Sequence, residues 1–341
     1  MKAIIPALLA AAALVTGCGS KPALTIYNWS DYMSPDVVKA FEAKHGCKVV
    51  VDNYDSNEAM YAKLKAGGTG YDLVVPSSYQ VNKMAAEGML QPLDAAKIPN
   101  LKNIDPACKR FTQDPEHKFS VPYLFTSTGI GYLKDKAPDV KPTWKTLENE
   151  AYKGRMTLLD DMHETLGAAL KANGHSLNTT NASEIAAARD LVIKWKKNAA
   201  KFESIQYKSG LASAEFLVAH GFSSDIIQAA SENDQIAYVV PDEGFSLALD
   251  AMVILKDAPN PDLAHAFLDF ILDAQQCATN MEYVMAMSPN TAAYEKLPAD
   301  FRSDERIFLS PAKMEKAETI MDLGDAEQLY MKAWDEVKSA P

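Results

Sequence analysis

Apolar and polar positions fall into blocks along this chain that predict strand and helix in turn. Leu24 to Tyr27 is a short β-prone run. Ser34-Pro35-Asp36 then marks a helix start, with serine at the N-cap and proline at the first helical position. Val37, Val38 and Phe41 form an apolar stripe on that helix, and Gly46 ends it. Lys48 to Asp52 is β-branched strand. Ser56-Asn57-Glu58 opens a second helix with Met60, Tyr61 and Leu64 on one side, and the glycines of 67–70 stop it. Tyr71 to Pro76 reads as a fully buried strand. Strand, helix, strand, helix, strand predicts a parallel α/β sheet.

Residues 88–120 are loop-rich, with short helical turns. Val121 to Tyr132 is extended and rich in glycine at its end, and it is read as a first crossing between domains. A short helix starts at Trp144. Arg155 to Leu159 is a strand ending in Asp160-Asp161, and His163 opens a helix to Ala172. The pattern predicts further helices over 182–198 and 209–219, then a turn over 220–225. Ile236 to Val240 is strand, and Leu247 to Leu255 is an apolar run interrupted by Asp250. Helices are predicted over 261–274, 276–285 and 326–338.

The length, 341 residues, predicts about two domains. With 48% hydrophobic and 23% charged residues, the composition is that of a folded soluble protein. The formal charge of −11 and the lack of a basic patch exclude nucleic acid as a partner. Lys2 followed by the apolar run Ile4 to Val15 reads as an export signal, too short to span a bilayer. The run ends in Leu14-Val15-Thr16-Gly17-Cys18, which resembles a bacterial lipobox. This predicts a signal peptide over 1–18, a lipidated Cys18, and a soluble domain anchored to a membrane in the periplasm or at the cell surface. Loss of Lys2 takes the formal charge from −11 to −12. Cys47, Cys108 and Cys277 form neither a disulfide framework nor a zinc site. One bridge is open to them, and small buried hydrophobes are the expected reading.

The stretch Trp29-Ser30-Asp31-Tyr32 presents an indole, a hydroxyl, a carboxylate and a phenol in one turn. That mixture suits an organic cation. The bland alternative is a strand end with Trp29 and Tyr32 in the core and Asp31 capping the next helix. Ser77 and Tyr79 follow a buried strand directly, where open parallel sheets hold their ligands. Ser77 could equally be an N-cap. Asp161 and Glu164 share one side of an opening helical turn, as binding acids or as complements to the helix dipole. Phe222 and Asp225 bring another aromatic and acid together. Asp250 inside an apolar run is costly unless it is paired or faces a cleft. No Ser/His/Asp order, nucleophile elbow or metal-spaced histidine pair is present, which argues against an enzyme and against a metal or other cofactor. Asn28-Trp29-Ser30 matches the glycosylation pattern and is read as a chance match.

Several pieces together resemble the periplasmic spermidine/putrescine-binding proteins of polyamine ABC transporters. They are Tyr-Asn-Trp-Ser-Asp-Tyr at 27–32, Asp-Ser-Asn-Glu at 55–58, Tyr-Asp-Leu-Val-Val-Pro-Ser at 71–77, Lys-Phe-Ser-Val-Pro-Tyr at 118–123, Thr-Gly-Ile-Gly-Tyr at 128–132, and Asp160-Asp161 with Glu164. The likeness runs from about Leu24 to Val337. It implies an α/β, two-lobe type II periplasmic binding protein fold with the ligand cleft between lobes. The lobes are expected at 23–126 plus 247–292 and at 127–246 plus 293–341, closing by a hinge. It implies a monomer that captures putrescine or spermidine and delivers it to permease subunits. Another small amine, an amino acid-like cation, or a sensing role is the alternative.

By the same resemblance, Trp29 and Tyr32 are aromatic walls, and Ser30, Asp31, Ser77 and Tyr79 contact one amine end. Asp161 and Glu164 hold amines from the second lobe, Asp225 matches an acid of the putrescine-preferring branch, and Asp250 pairs with the other main amine. The chain departs from the family at Phe222, where the family has tryptophan, and at Ala248 and Ala286, where it has aromatics. A glutamine usual near the C-terminus is not evident around 318–323. Met252, Met285, Met287, Tyr123 and Phe125 are candidates to fill the lost walls.

Overall fold

A computed structural model describes residues 21–341, so the expected signal peptide and Cys18 lie outside the described residues. The first half of the chain builds β1 (Ala23–Trp29), α1 (Pro35–His45), β2 (Lys48–Tyr54), α2 (Asn57–Lys65), β3 (Leu73–Val74), α3 (Ser78–Ala86), β4 (Ser120–Leu133), β5 (Met156–Leu158) and α4 (Met162–Ala172). The second half adds α5 (Ala182–Lys196), β6 (Ala199–Phe202), α6 (Tyr207–Ala212), β7 (Val218–Phe222), α7 (Ser223–Glu232), β8 (Ile236–Val239) and β9 (Phe245–Ile254). Then come α8 (Pro261–Ile271), α9 (Ala274–Val284), the short α10 (Ala299–Arg302) and α11 (Pro311–Met314), β10 (Ala317–Glu318) and α12 (Glu327–Ser339).

The local signals act as the sequence predicts at the first helices. Ser34 caps α1 by accepting the Asp36 N–H at 3.3 Å, and Gly46 closes it at φ 64°. Ser56 caps α2 by accepting the Ala59 N–H at 3.1 Å. β1 pairs in parallel with β2 and β3, the expected α/β arrangement. Phe41 of α1 packs edge-on against Phe267 and Phe270 of α8, with centroids 4.9 and 5.3 Å away. Each such buried ring contributes about 1.5–3 kcal/mol.

The strand order is β2-β1-β3-β9-β4-β7-β5-β6, with β10 added to β9 and β8 to β4. β4 changes partner along its length. Ser120 to Ser127 pair antiparallel with β9, and Thr128 to Tyr132 pair antiparallel with β7. β8 joins the far end of β4. Gly129 sits just beyond the change of partner. A Cβ there would come within 2.4 Å of the Val239 carbonyl oxygen, so only glycine fits.

Two stretches differ from the pattern reading. The helix predicted over 209–219 is a six-residue α6 followed by strand β7. Phe216 folds back over Gly210, donating its N–H to the Gly210 carbonyl at 3.0 Å, and Ala214 turns the chain at φ 58°. Val218 to Phe222 then pair in the sheet, a tertiary outcome that a short apolar run does not disclose. The predicted turn over 220–225 is the end of β7 and the first turn of α7. Cys47, Cys108 and Cys277 are buried free thiols.

Candidate functional site

A single cleft brings together all eleven candidate residues: Trp29, Ser30, Asp31, Tyr32, Ser77, Tyr79, Asp161, Glu164, Phe222, Asp225 and Asp250. It holds about 1060 Å³ of empty space counted out to open solvent. The carboxyl ends of β1 and β3 supply Trp29 to Tyr32 and Ser77 to Tyr79. The end of β5 and start of α4 supply Asp161 and Glu164, the β7–α7 junction supplies Phe222 and Asp225, and β9 supplies Asp250.

The aromatic wall is fixed by its own hydrogen bonds. Trp29 Nε1 donates to the Val75 carbonyl at 2.8 Å, and its ring lies 4.5 Å from that of Tyr54. Tyr54 donates to the same carbonyl at 2.5 Å. Asp31 turns the chain at φ 53°, a left-handed conformation that aspartate tolerates better than most residues. Tyr32 is buried, and its hydroxyl donates to Asp250 Oδ2 at 2.8 Å while also bonding Thr126 Oγ1 at 2.8 Å.

Asp250 also accepts the Ser77 hydroxyl at 2.7 Å. Ser77 does occupy the N-cap position of α3, yet its side chain makes no cap hydrogen bond. Its hydroxyl is turned to Asp250 instead, and Asn57 Nδ2 donates to it at 3.1 Å. Asp161 does cap α4, accepting the Glu164 N–H at 2.9 Å, and it lines the cleft as well. Glu164 is buried and accepts hydroxyls from Thr128 at 2.9 Å and Ser246 at 3.0 Å. Tyr79 meets the His163 ring at 5.6 Å, and His163 is held by Glu327 at 2.8 Å. Asp225 accepts the Tyr207 hydroxyl at 2.5 Å.

The electrostatics set these acids apart from structural ones. Asp72 and Asp114 are also buried, but each is wrapped in backbone N–H donors: Thr25 and Asn260 for Asp72, and Lys118, Phe119 and Ser120 for Asp114. The cleft acids have weaker, mostly hydroxyl donors. Burial pushes Asp250 up to about 6 against the pull of Ser77 and Tyr32. Burial, then the charge of Asp161, pushes Glu164 up to about 8. Burial raises Asp161 and Asp225 too. Among the described residues, Asp161, Glu164, Asp225 and Asp250 have no ion-pair partner in the protein. No three His, Cys, Asp or Glu side chains among those residues converge as a metal centre requires. The acids are spread along the cleft, which suits an extended cation.

Several cleft residues were not named from the sequence. Tyr54, Asn57 and Thr126 come from elements flanking the candidates, Ile205 and Ile320 reach in from distant loops, and Lys208 comes from the first turn of α6. The only local hint was Asp-Ser-Asn-Glu at 55–58. Ala248 lines the cleft, whereas Ala286 is buried outside its lining. None of Met252, Met285, Met287, Tyr123 and Phe125 lines it. Tyr123 instead donates to the Tyr32 carbonyl at 2.7 Å from behind.

The fold and the cleft define a two-lobed periplasmic binding protein of type II. The chain belongs to the family of bacterial extracellular solute-binding proteins, whose pattern it matches over residues 36–308. It is similar to the putrescine/cadaverine-binding protein of Pseudomonas aeruginosa, 34% identical over 97% of this chain and 98% of that one. A Listeria monocytogenes structure assigned to a spermidine/putrescine ABC transporter superposes with a TM-score of 0.88 at 38% identity, covering 94% of this chain and 99% of that one. The TpPotD lipoprotein of Treponema pallidum superposes at 0.83 and 35%, covering 92% and 99%.

Proposed function

We propose that this protein captures a short polyamine, with putrescine and spermidine as first choices, and hands it to the permease of an ABC transporter. The observation that carries this reading is the pair Glu164 and Asp250. Both are buried carboxylates that face a cleft with no basic partner of their own among the described residues. Burying such charges unpaired is costly, and a ligand ammonium at each would offset that cost. Thr128, bonded to Glu164, and Thr126, bonded through Tyr32 to Asp250, are two residues apart on β4. β4 therefore supports both acids from neighbouring positions on one face. Trp29, Tyr32 and Phe222 supply π-faces for the methylenes and ammonium groups between. The names of the relatives point to the same ligand class.

The lobes in this reading are 23–126 plus 247–292 and 127–246 plus 293–341. The change of partner along β4 supports the first boundary. Trp29, Tyr32, Ser77, Tyr79 and Asp250 then face Asp161, Glu164, Phe222 and Asp225 across the cleft. A dication touching both sides shifts the population toward the closed form. Cys18 would carry the lipid that anchors a monomer to a bacterial membrane, in the periplasm or at the cell surface, and the Treponema relative, itself a lipoprotein, supports that arrangement.

Titration calorimetry of the chain from residue 19 onward, against putrescine, spermidine, cadaverine, GABA and arginine, tests the reading. Saturable binding of putrescine or spermidine, tighter than GABA and arginine, is expected. A cooperatively folded protein that binds none of the three polyamines would overturn it.

A further inference from the structure

Tyr207, the first residue of α6, is fully buried and does not line the cleft, yet its hydroxyl reaches both cleft residues of the β7–α7 junction. The phenol oxygen accepts the Phe222 N–H at 3.2 Å, and its O–H donates to Asp225 Oδ2 at 2.5 Å. The first bond fixes the sense of the second. A backbone N–H can only donate, so the phenol oxygen accepts it and turns its own proton to the carboxylate. The ring is held as well: a Cβ on Gly221 would come within 2.6 Å of Tyr207 Cε2. Among the described residues, no other side chain bonds the Asp225 carboxylate.

We propose that Tyr207 is a positioning residue for amine binding: from behind the cleft wall it fixes the Asp225 carboxylate as the acceptor for one ammonium of the ligand. The proposal rests on the polyamine reading of the site. Asp250 has a matching donor on the facing wall, where Tyr32 gives its phenol proton at 2.8 Å. Tyr32 lines the cleft and can meet the ligand itself, whereas Tyr207 acts only through Asp225 and the Phe222 backbone. Without the Tyr207 bond the carboxylate is free to rotate, and it takes up a proton more readily. Burial already raises Asp225, and the Tyr207 bond is the foremost influence drawing it back. The charged groups facing it are Lys208 of α6, which lowers it, and Asp31 of the β1–α1 turn, which raises it. Those two pair with each other at 3.2 Å, and a change at the Tyr207 hydroxyl leaves both in place.

The test is calorimetric titration of putrescine into wild type, Tyr207→Phe, Asp225→Asn and the double variant, at pH 8 and at pH 5. Tyr207→Phe is expected to weaken binding by about tenfold at pH 8. The deficit is expected to widen at pH 5, because Asp225 without its phenol donor is protonated at higher pH. Glu164 and Asp250 titrate in both proteins, so the ratio of wild-type to variant affinity isolates Asp225. In the Asp225→Asn background the same tyrosine change is expected to cost less than about twofold. If Tyr207→Phe does not fold, Gly221→Ala takes its place in the cycle, since it keeps the hydroxyl but presses the ring away from Asp225. The proposal falls if the tyrosine variant binds within about twofold of wild type, if its deficit is equal at the two pH values, or if the deficit survives in Asp225→Asn. Any of these with wild-type binding intact removes this proposal alone. A cooperatively folded wild type that does not bind putrescine removes the polyamine reading and this proposal with it.

Discussion

Tyr32 and Asp250 are 218 residues apart in sequence and joined by a 2.8 Å hydrogen bond in the wall of the cleft. The phenol donates to the acid that burial has pushed up to about 6. Asp250→Asn is expected to weaken amine binding by about 2–5 kcal/mol, since it removes the charge but leaves the desolvated site. Tyr32→Phe removes one of two donors to the carboxylate and is expected to cost about 1.5–3 kcal/mol. Calorimetry on both variants checks this, and an unchanged dissociation constant for Asp250→Asn would remove it from the site.

Glu164 is expected to make binding proton-linked. Its carboxyl titrates near 8 when folded against 4.5 as the reference. Between those values the folded state holds the extra proton, so the stabilising contribution is present at low pH and is lost as pH rises through 8. Each pKa unit corresponds to about 1.4 kcal/mol. Ligand-free melting temperature is expected to fall from pH 5 to pH 8, and Glu164→Gln to flatten that fall. A bound ammonium favours the ionised form, so amine binding at pH 7 is expected to expel about one proton and to strengthen from pH 6 to pH 8. Calorimetry in buffers of different ionisation enthalpy measures the release. Binding heats independent of buffer would contradict it.

Trp29 is pinned by its bond to the Val75 carbonyl and by Tyr54, so its ring is pre-oriented. Trp29→Ala is expected to weaken amine binding by about 0.5–2 kcal/mol through lost cation–π contact. Phe222→Trp enlarges the π-face on the other side of the cleft and is expected to tighten binding several-fold. Both are read from titration curves, and equal affinities in wild type and Trp29→Ala would remove the indole from the wall.

Gly129 sits where β4 leaves β9 for β7, against the Val239 carbonyl and the Tyr238 ring. Gly129→Ala is expected to destabilise the protein by about 1–3 kcal/mol by forcing these neighbours apart. Urea denaturation gives the value. A midpoint equal to wild type would mean that the strand relaxes at no cost.

Much of this site was legible because its residues announce their chemistry locally. Trp29 to Tyr32 and Asp161 with Glu164 lie in strand-to-helix turns whose capping signals also set their direction. Asp250 was visible as a charge in an apolar run. Lys208 was not, because nothing in Gln206-Tyr207-Lys208-Ser209 separates a cleft lysine from a surface one. Nor could the sequence choose between capping and site roles for Ser77, since the same hydroxyl can serve the α3 N–H groups or a distant carboxylate. The start of β7 was read as helix and the rest of it as a turn, because its apolar run is too short for periodicity to separate strand from helix.

By itself the sequence determined the early strand and helix order, the helix caps and the set of aromatic and acidic residues, because these depend on neighbours a few positions away. Tertiary structure alone decided that residues from 29 to 250 share one cleft, that Ala286 lies outside its lining, and that Lys208 faces Asp31. Those outcomes depend on which strands pair and how the long strand β4 changes partner, and desolvation in the resulting cleft gives Glu164 and Asp250 their raised pKa values.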